Sequence, residues 1–147
     1  MATSISDLSA SMLDWMKGIT ANPVVSFPFL VDPVPASRPR VTRWKTFYLK
    51  TYQKFRDDAD LWLQDCGLIP TDKPLFCMVE VVAKKPRTGK LKFPRGDVDN
   101  YVKGPWDKLN KLAWDDDNQI VGCAVFKRYA EPTEVPGFYL HWTEVSV

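Results

Sequence analysis

The side chains best suited to chemistry are concentrated in Gly96-Asp97-Val98-Asp99-Asn100-Tyr101-Val102-Lys103 and in the later turn Asp115-Asp116-Asp117-Asn118-Gln119. Carboxylates without a neighbouring histidine or cysteine suit a hard cation, magnesium or manganese, better than zinc. If Val98 opens a helix, Asp97 is its N-cap and Asp99 lies in the first turn. Both can then face the space beyond the helix end, where the dipole favours negative charge. Lys103 follows Asp99 by one turn on the same face, so its ammonium can lean toward the carboxylates or a bound phosphate. Phosphodiester hydrolysis needs a nucleophilic water, stabilised phosphoryl charge and an eased departure of the leaving oxygen, all of which a carboxylate-held metal supplies. An EF-hand is excluded, because the sixth position from Asp97 is Val102 rather than glycine and the twelfth is Lys108 rather than glutamate.

Asp-x-Asp alone more often marks a helix cap or turn than a site. Asn100, Lys103 and the second acidic turn reverse that preference. Asn100, Asp116 and Gln119 read as groups that orient ligands through hydrogen bonds, and Asp115 as a solvated turn residue. A helix of about 15 residues is roughly 22 Å long, so the second acidic turn rejoins the first only if the chain reverses or the helix breaks. Gly104-Pro105 predicts such a kink or break, since proline lacks the N–H and clashes with the carbonyl of Tyr101. The alternative is a third carboxylate supplied by another subunit.

Charge is segregated along the chain although the net charge is only +2. Residues 38–56 carry Arg38, Arg40, Arg43, Lys45, Lys50, Lys54 and Arg56 with no acid, and residues 57–72 carry five aspartates with no base. Lys84, Lys85, Arg87, Lys90, Lys92 and Arg95 then fill half of the twelve positions before Gly96. Such tracts can follow a phosphate backbone, which marks this group, together with Arg38, Arg40 and Arg43, as candidate DNA contacts. Phe93 is a candidate to stack on an unpaired base. His141, beside Trp142, reads as a packed or solvent-facing histidine rather than a catalytic one.

The elements that must position these groups follow from periodicity. Ile5, Leu8, Met12, Trp15 or Met16, and Ile19 predict an amphipathic helix over 5–18, capped by Ser4 or Ser6. Val24 to Val34 is apolar but punctuated by prolines, as an edge strand would be. Residues 36–46 read as a loop. Tyr48, Tyr52, Phe55, Ala59 and Trp62 mark one face of a second helix that stops at Gly67. Pro74 to Ala83 predicts a buried strand and 84–95 a basic loop. Val98, Val102, Leu109 and Leu112 predict a third helix over 98–113, and Ile120 to Tyr129 and Tyr139 to Val147 two strands joined as a hairpin. This order predicts an α+β fold: a single domain of helices packed on a mixed β-sheet, with an extra N-terminal helix. The expected organisation is an extension over 1–22 and one domain over 23–147.

Composition agrees. The length of 147 residues suits one core, stable without disulfides. Cys66, Cys77 and Cys123 are odd in number and form no Cys-x-x-Cys pair, which argues against a disulfide framework and a zinc site. The start lacks a basic signal region, and no apolar run reaches the about 18 residues needed to span a bilayer, so a cytoplasmic protein without a membrane partner is expected.

The spacing Asp97-Val98-Asp99-Asn100, Lys103, Asp107-Lys108-Leu109 and Asp116-Asp117-Asn118-Gln119, with Arg38-Pro39-Arg40 ahead of the second helix, resembles the RusA-like Holliday junction resolvases, the crossover junction endodeoxyribonucleases, over roughly Val24 to Val147. The resemblance implies a RusA-like fold in which Asp97, Asp99 and Asp117 are metal-binding catalytic carboxylates and Lys103 acts near the scissile phosphate. It further implies magnesium dependence, with manganese a possible substitute, and an intertwined homodimer that nicks a four-way DNA junction symmetrically. No small-molecule cofactor is implied. The expected setting is a bacterial or phage-infected cell, in recombination or repair. Two features depart from the pattern: the first helix lies outside the family core, and Gly104-Pro105 bears on the placement of Lys103. The competing readings are a non-catalytic module that binds branched DNA and a broader flap or fork nuclease.

Overall fold

The computed structural model describes residues 3–147; Met1 and Ala2, at the start of the expected 1–22 extension, lie outside them. In chain order the elements are α1 (Ile5–Ile19), β1 (Val25–Phe29), β2 (Arg40–Val41), β3 (Thr46–Phe47), α2 (Lys50–Leu63), β4 (Leu75–Ala83), α3 (Val98–Leu109), a 3-10 turn (Asp117–Gln119), β5 (Ile120–Tyr129) and β6 (Gly137–Glu144). The expected α+β class with a mixed sheet and an N-terminal helix is what forms.

β4 is apolar on both faces and nearly all buried, so it needs a partner on each side and a layer on each face. It pairs in parallel with β5 and antiparallel with β6, and β1 closes the far side in the order β1-β6-β4-β5. The expected β5–β6 hairpin is therefore corrected, because β4 lies between the two strands. β5 is only partly buried along its length and suits an edge. β1 is the other edge, as its proline predicts: Pro28, opposite Tyr139, has no N–H to give a neighbour.

The pleat divides β4 between two layers. Leu75, Cys77, Val79 and Val81 join Phe138, Leu140 and Trp142 of β6 in a core covered by Phe55 and Ala59 of α2, Val102 and Leu109 of α3, and the fully buried Trp114. Burial pushes the Cys77 thiol up to about 12. The opposite face meets α1, whose Met16 is buried and whose Trp15 ring packs edge-on against Phe76. Ser4 caps α1 by accepting the Asp7 N–H at 3.0 Å. The Ser9 hydroxyl donates to Glu80, which pairs with Arg128 at 3.0 Å, and Arg128 pairs in turn with Glu134 at 2.5 Å. No described helix is long and apolar enough to cross a membrane.

α3 runs unbroken through Pro105, so the expected break at Gly104-Pro105 does not occur. The physical reason is tertiary. Gly104 lies under α2 so closely that a Cβ there would come within 2.6 Å of Phe55 Cε1. Gly104 and Pro105 are both buried, and the pairs Arg56–Asp107 at 3.5 Å and Lys108–Asp60 at 2.7 Å hold α2 and α3 together. Packing on this scale outweighs the roughly 3 kcal/mol that an interior proline costs. The helix also ends at Leu109 rather than 113, and Lys111 adopts a left-handed φ of 71° in the turn that follows. Gly104→Val is expected to lower the urea unfolding free energy by about 2–3 kcal/mol, because the Phe55 ring has nowhere to move. An unchanged midpoint would refute the close crossing.

Candidate functional site

Asp97 caps α3 and Asp99 lies in its first turn, as the spacing predicts. Both side chains are exposed. Asp97 makes no side-chain capping bond, and no ion pair among the described residues engages either carboxylate. Lys103 remains on the same unbroken helix, exposed, and its Nζ donates to Asn100 Oδ1 at 3.1 Å. The proline therefore does not displace this lysine from the first-turn face.

The approach to Asp97 is held by side chains that sequence reasoning missed. The four carbonyls before it each accept a side-chain donor. Tyr129 Oη donates to Phe93 O at 2.9 Å. Lys127 Nζ donates to Pro94 O at 2.9 Å and Gly96 O at 2.6 Å, and lies 5.3 Å from the Phe93 ring centroid. The Tyr101 hydroxyl donates to Arg95 O. Gly96, at φ +99°, passes so close to Pro35 that a Cβ would meet Pro35 Cγ at 2.6 Å. The available signal was the i, i+2 pair Lys127 and Tyr129, which alternation places on one face of β5.

Two basic elements flank the start of α3. Lys84, Lys85, Arg87, Lys90, Lys92 and Arg95 are all exposed on the loop leaving β4. Lys84, Lys85, Lys90 and Arg95 line a cleft of about 410 Å³ together with Tyr101 and Tyr129. The second element is not the expected loop. Residues 40–47 form a hairpin, β2 against β3, with Arg40 opposite Phe47. Arg40 and Arg43 are exposed on it and Arg38 is exposed just before it, and its base is tied to α3 by the Ala36 N–H bonding Asn100 O at 2.8 Å.

The second acidic turn lies elsewhere. Gln119 fastens it to the chain ahead of β4, with Nε2 donating to Thr71 O at 2.8 Å and Lys73 O at 2.9 Å. Its Oε1 accepts the Asp115 and Asp116 N–H groups, both at 2.9 Å. Asp116 Oδ1 accepts the Asn118 N–H at 2.9 Å, a bond that, with the Asp117 side chain, holds its carboxyl below the usual range. Burial, then Asp116 and Asp107, push Asp117 above it.

Asp117 precedes Ile120 at the start of β5, whereas Asp97 follows carbonyls bound by Lys127 and Tyr129 near that strand's end. At about 3.3 Å per residue, these ends of the strand are more than about 20 Å apart. One chain therefore brings Asp97, Asp99, Asn100 and Lys103 together and leaves Asp116, Asp117 and Gln119 at the other end of α3. Among the described residues, no group of three or more His, Cys, Asp or Glu side chains is placed to hold a metal. His141 is half-buried: its Nδ1 shares a 2.7 Å hydrogen bond with Ser26, and burial lowers its pKa.

A stretch of 39 residues is 54% identical to the "Uncharacterized protein YqaN" of Bacillus subtilis (strain 168), covering 26% of this chain and 28% of that protein. The chain thus spans under a third of the length of the curated relative it matches. The sequence profile described as "Endodeoxyribonuclease RusA" matches residues 31–136, from just after β1 through the arginine hairpin, both acidic segments and β5. Since that match takes in most of the chain, with the carboxylates, the lysine and both basic elements inside it, the chain belongs to the RusA endodeoxyribonuclease family.

Proposed function

We propose that this protein is a divalent-metal-dependent endodeoxyribonuclease that cuts four-way DNA junctions symmetrically as a homodimer. The observation that carries this reading is the pair of exposed carboxylates at the start of α3, without ion pairs among the described residues and set between two basic elements. The donor set fits a hard cation. Both groups offer oxygen, and magnesium typically takes one or two protein carboxylates and fills its shell with water and phosphate oxygens. Asp97 and Asp99 would hold it, and manganese would substitute. When bound, the cation supplies Lewis-acid stabilisation of phosphoryl charge and a more acidic water.

The chain's own residues do the rest. Asn100 holds the Lys103 ammonium over the first turn, where it meets charge developing on the phosphoryl oxygens. The basic loop and the arginine hairpin neutralise backbone phosphates and orient the strand. Lys127, Tyr129 and Tyr101 fix the backbone that delivers Asp97. The distance along β5 favours an Asp117 that joins the pair from a second protomer, with Asp116 and Gln119 shaping its turn.

The reading is tested on a labelled synthetic four-way junction, with linear duplex, flap and fork controls, in magnesium and in EDTA. Paired magnesium-dependent nicks near the branch are expected. Tight junction binding without cleavage in any metal would replace the reading with a non-catalytic module, and equal cleavage of flaps and forks with a broader nuclease.

Lys127→Met is expected to lower the single-turnover cleavage rate by about ten- to a hundredfold, since displacements of about 1 Å at a reacting centre cost that much. Junction affinity in EDTA should change less than twofold, and the magnesium concentration for half-maximal rate should rise. A variant that loses binding and rate in proportion would assign Lys127 to DNA contact instead.

A further inference from the structure

Trp44 lies at the tip of the β2–β3 hairpin and is 84% exposed. Its exposure comes from a built turn. Thr42 N donates to Lys45 O at 2.8 Å, and Thr42 Oγ1 accepts from Trp44 N at 3.3 Å and from Lys45 N at 3.1 Å. The Arg43 guanidinium sits 5.1 Å from the Trp44 ring centroid, and Lys45 Nζ lies 5.2 Å from that of Phe47. Single exposed apolar residues are common and need no explanation. This one is flanked by Arg38, Arg40, Arg43 and Lys45, with no acid between residues 33 and 56, so the tip offers a π-face inside a positive field.

The hairpin's base places that face near the chemistry. Ala36 is bonded to Asn100 in the first turn of α3, and Trp44 lies eight positions further along the chain. Even fully extended, that length spans about 26 Å, or roughly eight base steps along one strand. Within continuous duplex every base is already stacked on both sides. At a branch the last pair of each arm can be unstacked at low cost, and aromatic faces accept any base.

We infer that Trp44 is the branch-sensing contact of this protein, stacking on a base at the open point of the DNA while Arg43 and Lys45 hold the phosphates beside it. The inference rests on the proposed action on junctions and names the residue that distinguishes a branch from a linear duplex. The charge of the hairpin selects DNA, and the ring selects the site where a base face is available.

The test uses the full chain in EDTA, with a four-way junction and a linear duplex sharing its arm sequences, and 2-aminopurine placed either at the branch or inside an arm. Trp44→Ala is expected to weaken junction binding about tenfold and duplex binding less than twofold, a difference in keeping with one lost base stack. Trp44→Phe should restore most of the affinity. Branch-point 2-aminopurine should respond to the parent protein and Trp44→Phe but not to Trp44→Ala. If the parent cleaves junctions with magnesium and Trp44→Ala binds them equally well, or loses junction and duplex alike, the inference is overturned and the nuclease reading stands. If the parent neither prefers nor cuts junctions, both fall.

Discussion

Asp99→Asn is expected to lower magnesium-dependent junction cleavage by about a thousandfold while leaving junction binding in EDTA within about threefold. The asymmetry follows from placement. Asp99 is exposed in the first turn of α3 and has no ion pair among the described residues, so the fold has little stake in its charge. Asparagine keeps the size and one oxygen but removes the negative charge that holds a hard cation. Removing that charge beside a phosphate path should, if anything, tighten binding of the uncleaved DNA. Retained cleavage in Asp99→Asn would place the metal elsewhere.

The same substitution separates the two placements of Asp117. Asp99→Asn and Asp117→Asn are each expected to be inactive alone. If each site combines Asp97 and Asp99 of one protomer with Asp117 of another, a mixed dimer retains one intact site, and mixing the two inactive proteins restores cleavage. If each protomer completes its own site, both sites of the mixed dimer stay broken and no activity returns.

Arg128→Met is expected to destabilise the protein by about 3 kcal/mol at pH 7, the usual cost of removing one partner from a buried ion network. Arg128 and Glu80 side chains are only 13% and 15% exposed, so the carboxylate left behind is poorly hydrated. Glu80 also receives the Ser9 hydroxyl, so α1 should loosen with it. Hydrogen bonding from Arg128 holds the Glu134 carboxyl below its ordinary value of 4.5. A depressed carboxyl adds stability above its unfolded pKa and loses it as pH falls through the folded one. The gap between parent and variant should therefore be full at pH 7 and shrink below about pH 4. Urea unfolding at pH 7 and pH 3 measures it, and a gap independent of pH would deny Glu134 its part.

Much of the candidate site was legible because its signals are local. An N-cap and a first turn are set by neighbouring residues, so Asp97, Asp99 and Lys103 were placed on α3 from spacing alone. The outline of α1, the length of β5 and the edge position of β1 follow from periodicity and from Pro28 in the same way. Lys127 was not legible as a clamp, because its carbonyl partners lie more than thirty residues away. Nor was the arginine hairpin. Its strands have two residues each, too short for alternation to register, and the turn is closed by the Thr42 hydroxyl rather than by glycine.

What the sequence determined by itself is the inventory: the chemistry of the acidic segments, the segregation of charge, and which stretches coil or extend. Only the tertiary structure decided how these lie against one another. Glu131 to Gly137 carries a turn's composition and suggests a hairpin locally, yet the backbone groups on both edges of the buried β4 demand separate partners and draw β5 and β6 apart. Gly104-Pro105 should break a lone helix, but the burial of both residues under Phe55 keeps α3 whole. That unbroken helix then keeps Asp97 and the Asp117 turn at opposite ends of α3, because a parallel pair returns the chain to the opposite end of the sheet before the next strand can begin.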